Sequence, residues 1–206
     1  MHYKTEQEKF WAGQFGNEYT QRNQSEISVA SNTALFSKIF SSTRSISSAI
    51  EFGANIGLNL KAIKHLAPKI ELSAIEINKN AIDQLKNEIK TVNIYHTSIL
   101  DFQPEREWDF AFTKGVLIHI NPDNLQSVYE LLYRSSKKYI CIAEYYNPSP
   151  VEVSYRGHKE KLFKRDFAGE IMDKYSNLNL IDYGFVYHKD RNFPQDDITW
   201  FLLEKE

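Results

Sequence analysis

The chain has 206 residues, 42% of them hydrophobic and 25% charged, the balance of one ordinary globular domain with a substantial core. A formal net charge of −2 and a pI near 6.3 give no clustered positive charge of the kind that selects a nucleic acid or an anionic membrane as partner. One cysteine, Cys141, excludes an internal disulfide; set in an apolar run, it reads as a buried, inert thiol of a reducing cytoplasm.

Residues 1–6 are polar, unlike a signal peptide, and no apolar run approaches a membrane span. Residues 26–41 carry Ile27, Ala30, Ala34, Leu35, Ile39 and Phe40 near helical spacing. The serine-rich stretch 41–45 is a loop into a strand over 48–52. A helix with Leu58, Ala62, Ile63 and Leu66 follows and stops before Pro68. A second strand covers 70–77. The next helix carries Ile82, Leu85 and Ile89 on one face, and a third strand covers 92–96. The fourth strand spans 109–113, and its helix begins near Pro122, whose fixed φ suits a first turn. The fifth strand is 139–144. Strands alternating with helices at this interval predict a parallel sheet covered on both faces. A helix around 165–174 then leads to extended stretches at 178–187 and 198–203, with no helix between them, so these two pair antiparallel. The expected fold is α/β and Rossmann-like: the mostly parallel seven-stranded sheet of class I methyltransferases, with an antiparallel C-terminal hairpin. We expect one domain, with a helical cap or lid at 1–45, a cofactor-binding core at 46–145 and a substrate loop plus hairpin at 146–206.

The segment Glu51-Phe52-Gly53-Ala54-Asn55-Ile56-Gly57 lies where the first strand bends into its helix, the place where doubly wound sheets hold a nucleotide. Gly53 permits a sharp turn and Gly57 a close backbone approach to ligand. A dinucleotide site reads G-x-G-x-x-G, its second glycine admitting a pyrophosphate. Here Asn55 stands in that place, and Glu51 suits a cation. The phosphate-free ligand that fits is S-adenosylmethionine (SAM), with its ammonium and sulfonium; the alternative is a plain strand-to-helix turn. Glu76, with Ile77 and Asn78, ends the second strand, where an acid takes ribose hydroxyls. Ser98, Ile99 and Leu100 follow the third strand as an adenine contact, or as an ordinary turn. Lys114, Gly115 and Val116 leave the fourth strand beside the cofactor. His119 follows as the candidate base for a hydroxyl acceptor; its bland reading is a helix cap or a packed ring.

Past the fifth strand, Tyr146, Asn147, Tyr155, Arg156, His158 and Lys164 form a loop of aromatics and cations suited to a polar or acidic sugar. The aromatic N-terminal stretch 10–23 can fold over the cofactor as a lid, Tyr19 beside it and Arg22 on its methionine carboxylate. The six histidines are scattered, and none has the spacing of a metal ligand.

Several blocks resemble the pseudaminic acid biosynthesis-associated methylases of bacterial surface-sugar pathways: residues 10–19, Arg22-Asn23, 51–59, 114–122, and Glu144-Tyr145-Tyr146-Asn147-Pro148. The resemblance implies a class I fold, SAM as methyl donor, and a small-molecule sugar or nucleotide-sugar acceptor in a nonulosonic acid pathway serving flagellin or surface glycans. Two rivals remain: an NAD-dependent sugar oxidoreductase, and a non-catalytic SAM-binding domain of a glycan-assembly complex.

Overall fold

Apolar strands and amphipathic helices assemble a seven-stranded sheet in a computed structural model that describes residues 3–22 and 26–206. Asn23 of the N-terminal block lies outside the described residues. The parallel strands are β1 (Ser48–Phe52), β2 (Glu71–Glu76), β3 (Val92–His96), β4 (Trp108–Lys114) and β5 (Ser136–Glu144). The C-terminal pair is β8 (Leu178–Val186) and β9 (Ile198–Lys205), with β9 antiparallel to β5 and β8 at the sheet edge. The order β3-β2-β1-β4-β5-β9-β8 reverses direction between β1 and β4, and a ligand crevice belongs at such a switch point. The expected layout therefore holds.

Strands buried on both faces have no polar side to spare. All five residues of β1 are buried. Along β4, Phe110 and Phe112 face one core while Ala111 faces the other. The first core is closed by α3 (Glu26–Ser41), α4 (Leu58–Leu66) and α5 (Lys79–Glu88) through Phe36, Ile39, Leu60, Ile63 and Leu85. The second is closed by α6 (Leu125–Ser135) and α7 (Phe167–Lys174) through Val128, Tyr129, Leu132 and Ile171. Cys141 is buried in the first core. Among the described residues no helix is long and apolar enough to cross a membrane.

The start of the chain forms two helices, α1 (Glu6–Ala12) and α2 (Gln14–Arg22). A capping box opens α1: the Glu8 N–H donates to Thr5 Oγ1 at 3.1 Å and the Thr5 N–H donates to Glu8 Oε2 at 2.7 Å. Both helices lie over the carboxyl edge of the sheet. The Asn78 amide, just past β2, donates to Trp11 O (3.0 Å) and Asn17 Oδ1 (2.9 Å), and Ser98 hydrogen-bonds to Glu8.

The structure departs from expectation in detail. A short 3₁₀ turn (Pro122–Asn124) precedes α6, capped where the Asn121 side chain accepts from the Asp123 N–H. β5 begins at Ser136, paired with Trp108 across a register shift in β4. A two-residue ribbon, β6 (Val151–Glu152) against β7 (Phe163–Lys164), ties together the loop after β5. The start of β5 and the β6–β7 ribbon depend on partners distant in sequence, which local periodicity does not report.

Candidate functional site

A cavity of about 310 Å³ opens at the carboxyl ends of β1, β2 and β4, beneath α1 and α2. Its floor is the turn after β1. Gly53 takes φ +77°, and the N–H groups of Gly53 and Ala54 donate to Ile75 O at 2.9 and 3.1 Å, fixing the turn to β2. A Cβ at Gly53 would stand 2.8 Å from Val116 Cγ2, so the turns after β1 and β4 touch. That contact requires glycine for space as well as for φ.

Glu76 is buried at the end of β2 and organises the next wall. Its Oε2 accepts the Asn55 N–H at 2.7 Å and its Oε1 the Asn78 N–H at 2.7 Å. Each oxygen keeps a lone pair for a further donor. Burial raises its pKa, opposed by those N–H groups.

Glu51 lies beneath this floor, fully buried, and burial pushes its pKa up to about 8. The Asn59 side chain donates to its Oε1 at 2.6 Å. Lys114 lines the cavity nearby; burial lowers its pKa, against the charges of Glu51, Asp196 and Glu144. Around this group, buried polar atoms lack hydrogen-bond partners: Glu51 Oε2, Asn55 Oδ1, Asn59 Oδ1 and Ser31 Oγ. Buried polar groups are normally satisfied, so such a cluster marks where a polar ligand docks.

His119 forms the opposite wall. Its Nδ1 lies 2.5 Å from Lys161 O, which makes Nδ1 the protonated nitrogen and leaves Nε2 as the acceptor. The ring packs between Trp11 (centroids 4.7 Å apart) and Tyr155 (4.8 Å), and burial lowers its pKa to about 4. Glu144 at the end of β5 holds the turn before it. Its carboxylate accepts the N–H groups of Val116 (3.0 Å), Leu117 (3.1 Å) and Ile118 (3.5 Å), with its own pKa raised to about 7 by burial.

Of the residues expected at a cofactor, Tyr19, Gly53, Asn55, Glu76, Ile77, Asn78, Ser98, Ile99, Leu100, Lys114, Gly115 and Val116 line the cavity, and so does His119. The other four do not line it. Phe52 is wholly buried and packs in the second core, because strand alternation turns it away from the cavity. Glu51 sits under the lining, not on it. Gly57 has φ +81°, and a Cβ there would fall 2.1 Å from Leu85 Cδ1; it admits α5, not a ligand. Arg22 is exposed at the end of α2 with its guanidinium over the Phe15 ring at 5.5 Å, away from the cavity.

None of the residues expected to bind an acceptor lines the cavity. Tyr146 packs toward Phe201 on the far part of the sheet (5.7 Å), and the Asn147 side chain donates to Ser149 O at 2.6 Å within its own loop. Arg156 is exposed with φ +51°. Tyr155 stands behind His119, His158 lies against Phe10 (5.0 Å), and Lys164 sits over the Tyr145 ring (5.1 Å). For Tyr155 and His158 the physical reason is α1, whose Trp11 and Phe10 pack against them.

Sequence reasoning missed other groups. Asn59 stands in the first turn of α4, eight residues after Glu51, and no sequence period links a strand residue to a helix residue across the turn between them. Glu144 opens the block 144–148, and nothing in its sequence neighbourhood marks the turn it holds. Gln7, Glu8, Ser31, Asn32, Gln195 and Asp196 also line the cavity, brought there from both ends of the chain with no local signal.

No protein-family model and no curated protein matches the chain. Solved structures do match. The Burkholderia thailandensis 1,6-didemethyltoxoflavin-N1-methyltransferase, solved with 1,6-didemethyltoxoflavin and S-adenosylhomocysteine, is 10% identical over 97% of this chain and 86% of its own, with a TM-score of 0.69. The N-methyltransferase NodS of Bradyrhizobium japonicum, in complex with S-adenosylhomocysteine, is 13% identical over 90% of each chain, with a TM-score of 0.66. A Leishmania major SAM-dependent methyltransferase is 15% identical over 98% of this chain and 87% of its own, with a TM-score of 0.71. At these identities the likeness establishes the fold: this chain has the fold of class I SAM-dependent methyltransferases.

Proposed function

We propose that the chain is a SAM-dependent methyltransferase acting on a small-molecule acceptor. The observation that carries this reading is the set of partnerless buried oxygens beside Lys114 and below the Gly53 turn. When bound, SAM supplies an electrophilic methyl group on its sulfonium.

The side chains present suit a zwitterionic amino-acid end. Glu51, Asn55 and Asn59 offer acceptors to an ammonium, while Lys114 and Ser31 offer donors to a carboxylate. This gives Lys114 the part that the sequence suggested for Arg22. The Glu76 carboxylate, held by two N–H groups, is suited to ribose hydroxyls. Asn55 fills the space a pyrophosphate would need, which weighs against a nicotinamide dinucleotide. His119 Nε2 can accept the proton of an acceptor hydroxyl or amine. With a pKa of about 4 it is a weak base, so its contribution is chiefly to orient the attacking lone pair in a water-poor cleft. α1 and α2 serve as the lid over that cleft.

For the acceptor we propose a sugar or nucleotide-sugar of a nonulosonic acid pathway, and the support is the sequence resemblance over 10–19 and 144–148. Tyr155 and His158 stand against α1 from outside, so in this reading α1 moves aside as the acceptor enters. Titration calorimetry with SAM and with NAD tests the cofactor: SAM should bind and NAD should not, and the reverse would sink the proposal. Mass spectrometry of nonulosonic sugars and their nucleotide forms after incubation with protein and SAM tests the acceptor. The expected product carries one additional methyl group. SAM binding without any methyl transfer to these sugars would discard that acceptor class alone.

A further inference from the structure

The far edge of the sheet carries a feature the cavity does not explain. β8 is the terminal strand, with β9 on one side and, among the described residues, no strand paired on the other. Its side chains alternate. Asp182, Gly184 and Val186 face α3: the Ser42 hydroxyl donates to Asp182 at 2.5 Å, the Trp200 indole lies over Gly184, and Val186 packs on the first core. On the opposite face Tyr183 is 64% exposed, Phe185 56% and Tyr187 45%, with Ile181 and Leu180 beside them. Phe201 and the 42%-exposed Tyr146 continue the aromatic surface across β9 (Tyr183–Phe201 6.3 Å). α7 packs on β5 and on Leu178 and Leu203 in the second core, and beyond them Tyr183, Phe185 and Tyr187 stay exposed.

Edge strands are normally protected by lysine, proline or a bulge. Residues 178–187 contain no lysine, arginine or proline. The one bulge lies between Leu180 and Asp182, which leaves 182–186 regular and open. The charge within that stretch, Asp182, is turned to the other face.

We infer that two copies of the chain pair through β8, antiparallel, about a two-fold axis at Gly184, joining their sheets into one. In that register Tyr183 of each copy stands opposite Phe185 of the other, giving two cross-strand aromatic pairs of the kind that stabilise sheets. Asp182 falls opposite Val186, so no like charges meet. A two-fold contact must be self-complementary, and a stretch reading aromatic, glycine, aromatic about its centre is. The exposed fractions of Tyr183, Phe185, Tyr187 and Ile181, at about 150–250 Å² for a fully buried aromatic side chain, set an upper bound of roughly 400 Å² of side chain per copy. Two copies bury at most roughly 800 Å² of side chain, to which the strand backbone adds, the size of a weak, transient interface. The dimer is therefore a reversible one whose population rises with concentration.

Sedimentation velocity of the full chain over a concentration series tests this. The parent should shift from monomer to dimer, and the double variant Y183K/F185K should remain monomeric with an unchanged melting temperature and circular dichroism spectrum. The register has its own readout, since Cys141 is buried and an introduced cysteine is the accessible thiol. Under oxidation a mixture of Y183C and F185C proteins should cross-link chiefly as the mixed pair. A parent that stays monomeric at its highest soluble concentration overturns the inference, as does a dimer that survives Y183K/F185K or cross-links without preference for the mixed pair.

Discussion

At the scale of single residues, two buried titratable groups of the site, His119 and Glu51, have pKa values that have moved in opposite directions. His119 falls from 6.5 to about 4 because its imidazolium would be desolvated. The fold thus favours the neutral ring, and its contribution to stability is present above pH 6.5 and lost as the pH drops toward 4. Turnover should accordingly be insensitive to His119 protonation through neutral pH. Its replacement by alanine should lower kcat about 10²-fold with little change in SAM affinity, measured by steady-state kinetics and calorimetry; unchanged kcat would remove it from the mechanism. Glu51 moves the other way, from 4.5 to about 8. Its protonated form is the one the fold favours, so that contribution is complete below pH 4.5 and disappears as pH rises through 8. In the ligand-free state Glu51→Gln should therefore be more stable than the parent at pH 8 and about equal near pH 5, by urea denaturation. An ammonium docking beside Glu51 should expel its proton. SAM titrations at pH 7 in buffers of different ionisation enthalpy should then show proton release that Glu51→Gln abolishes.

At the scale of elements, the turns are held by groups that sequence distance hides. Glu144 fastens the turn after β4 from the neighbouring strand by accepting three N–H groups. Hydrogen bonds to a charged group contribute about 1.5–3 kcal/mol each, and their loss leaves buried N–H groups unpaired. Glu144→Ala should cost roughly 3 kcal/mol in chemical denaturation and weaken SAM binding, because the turn carries Gly115 and Val116. Gly57→Ala should also destabilise, by at least about 1–3 kcal/mol, since its Cβ meets Leu85 and its φ is positive. Because Gly57 seats α5 and does not touch the cavity, the loss should appear in stability before affinity. The strands and helices themselves were readable from apolar periodicity: β1 and β3 fall on the expected residues. The ribbon of β6 and β7 was not, since two-residue strands carry no period and exist through pairing alone.

At the scale of the whole molecule, a ligand that closes α1 and α2 over the sheet should stabilise the chain by mass action. SAM at about 100 times its Kd adds about 2.7 kcal/mol, which for a domain of this size raises Tm by roughly 5–10 °C at about 2–4 °C per kcal/mol. NAD at equal concentration should leave Tm unmoved in the same thermal scan. The sequence by itself determined the order of the elements and hence the doubly wound sheet, because apolar period and turn residues are local properties that each segment carries alone. It also placed the Gly53 turn and Glu76 at the carboxyl edge of the sheet, where both line the cavity, because each stands where a strand ends. The tertiary structure alone decided which side chains reach the cavity. Asn59, Ser31, Asp196 and Trp11 come to it from four separate elements, whereas Tyr155 and His158 are kept out by α1, whose Trp11 and Phe10 pack against them. Proximity across a fold is a property of packed surfaces, and no window of sequence contains it.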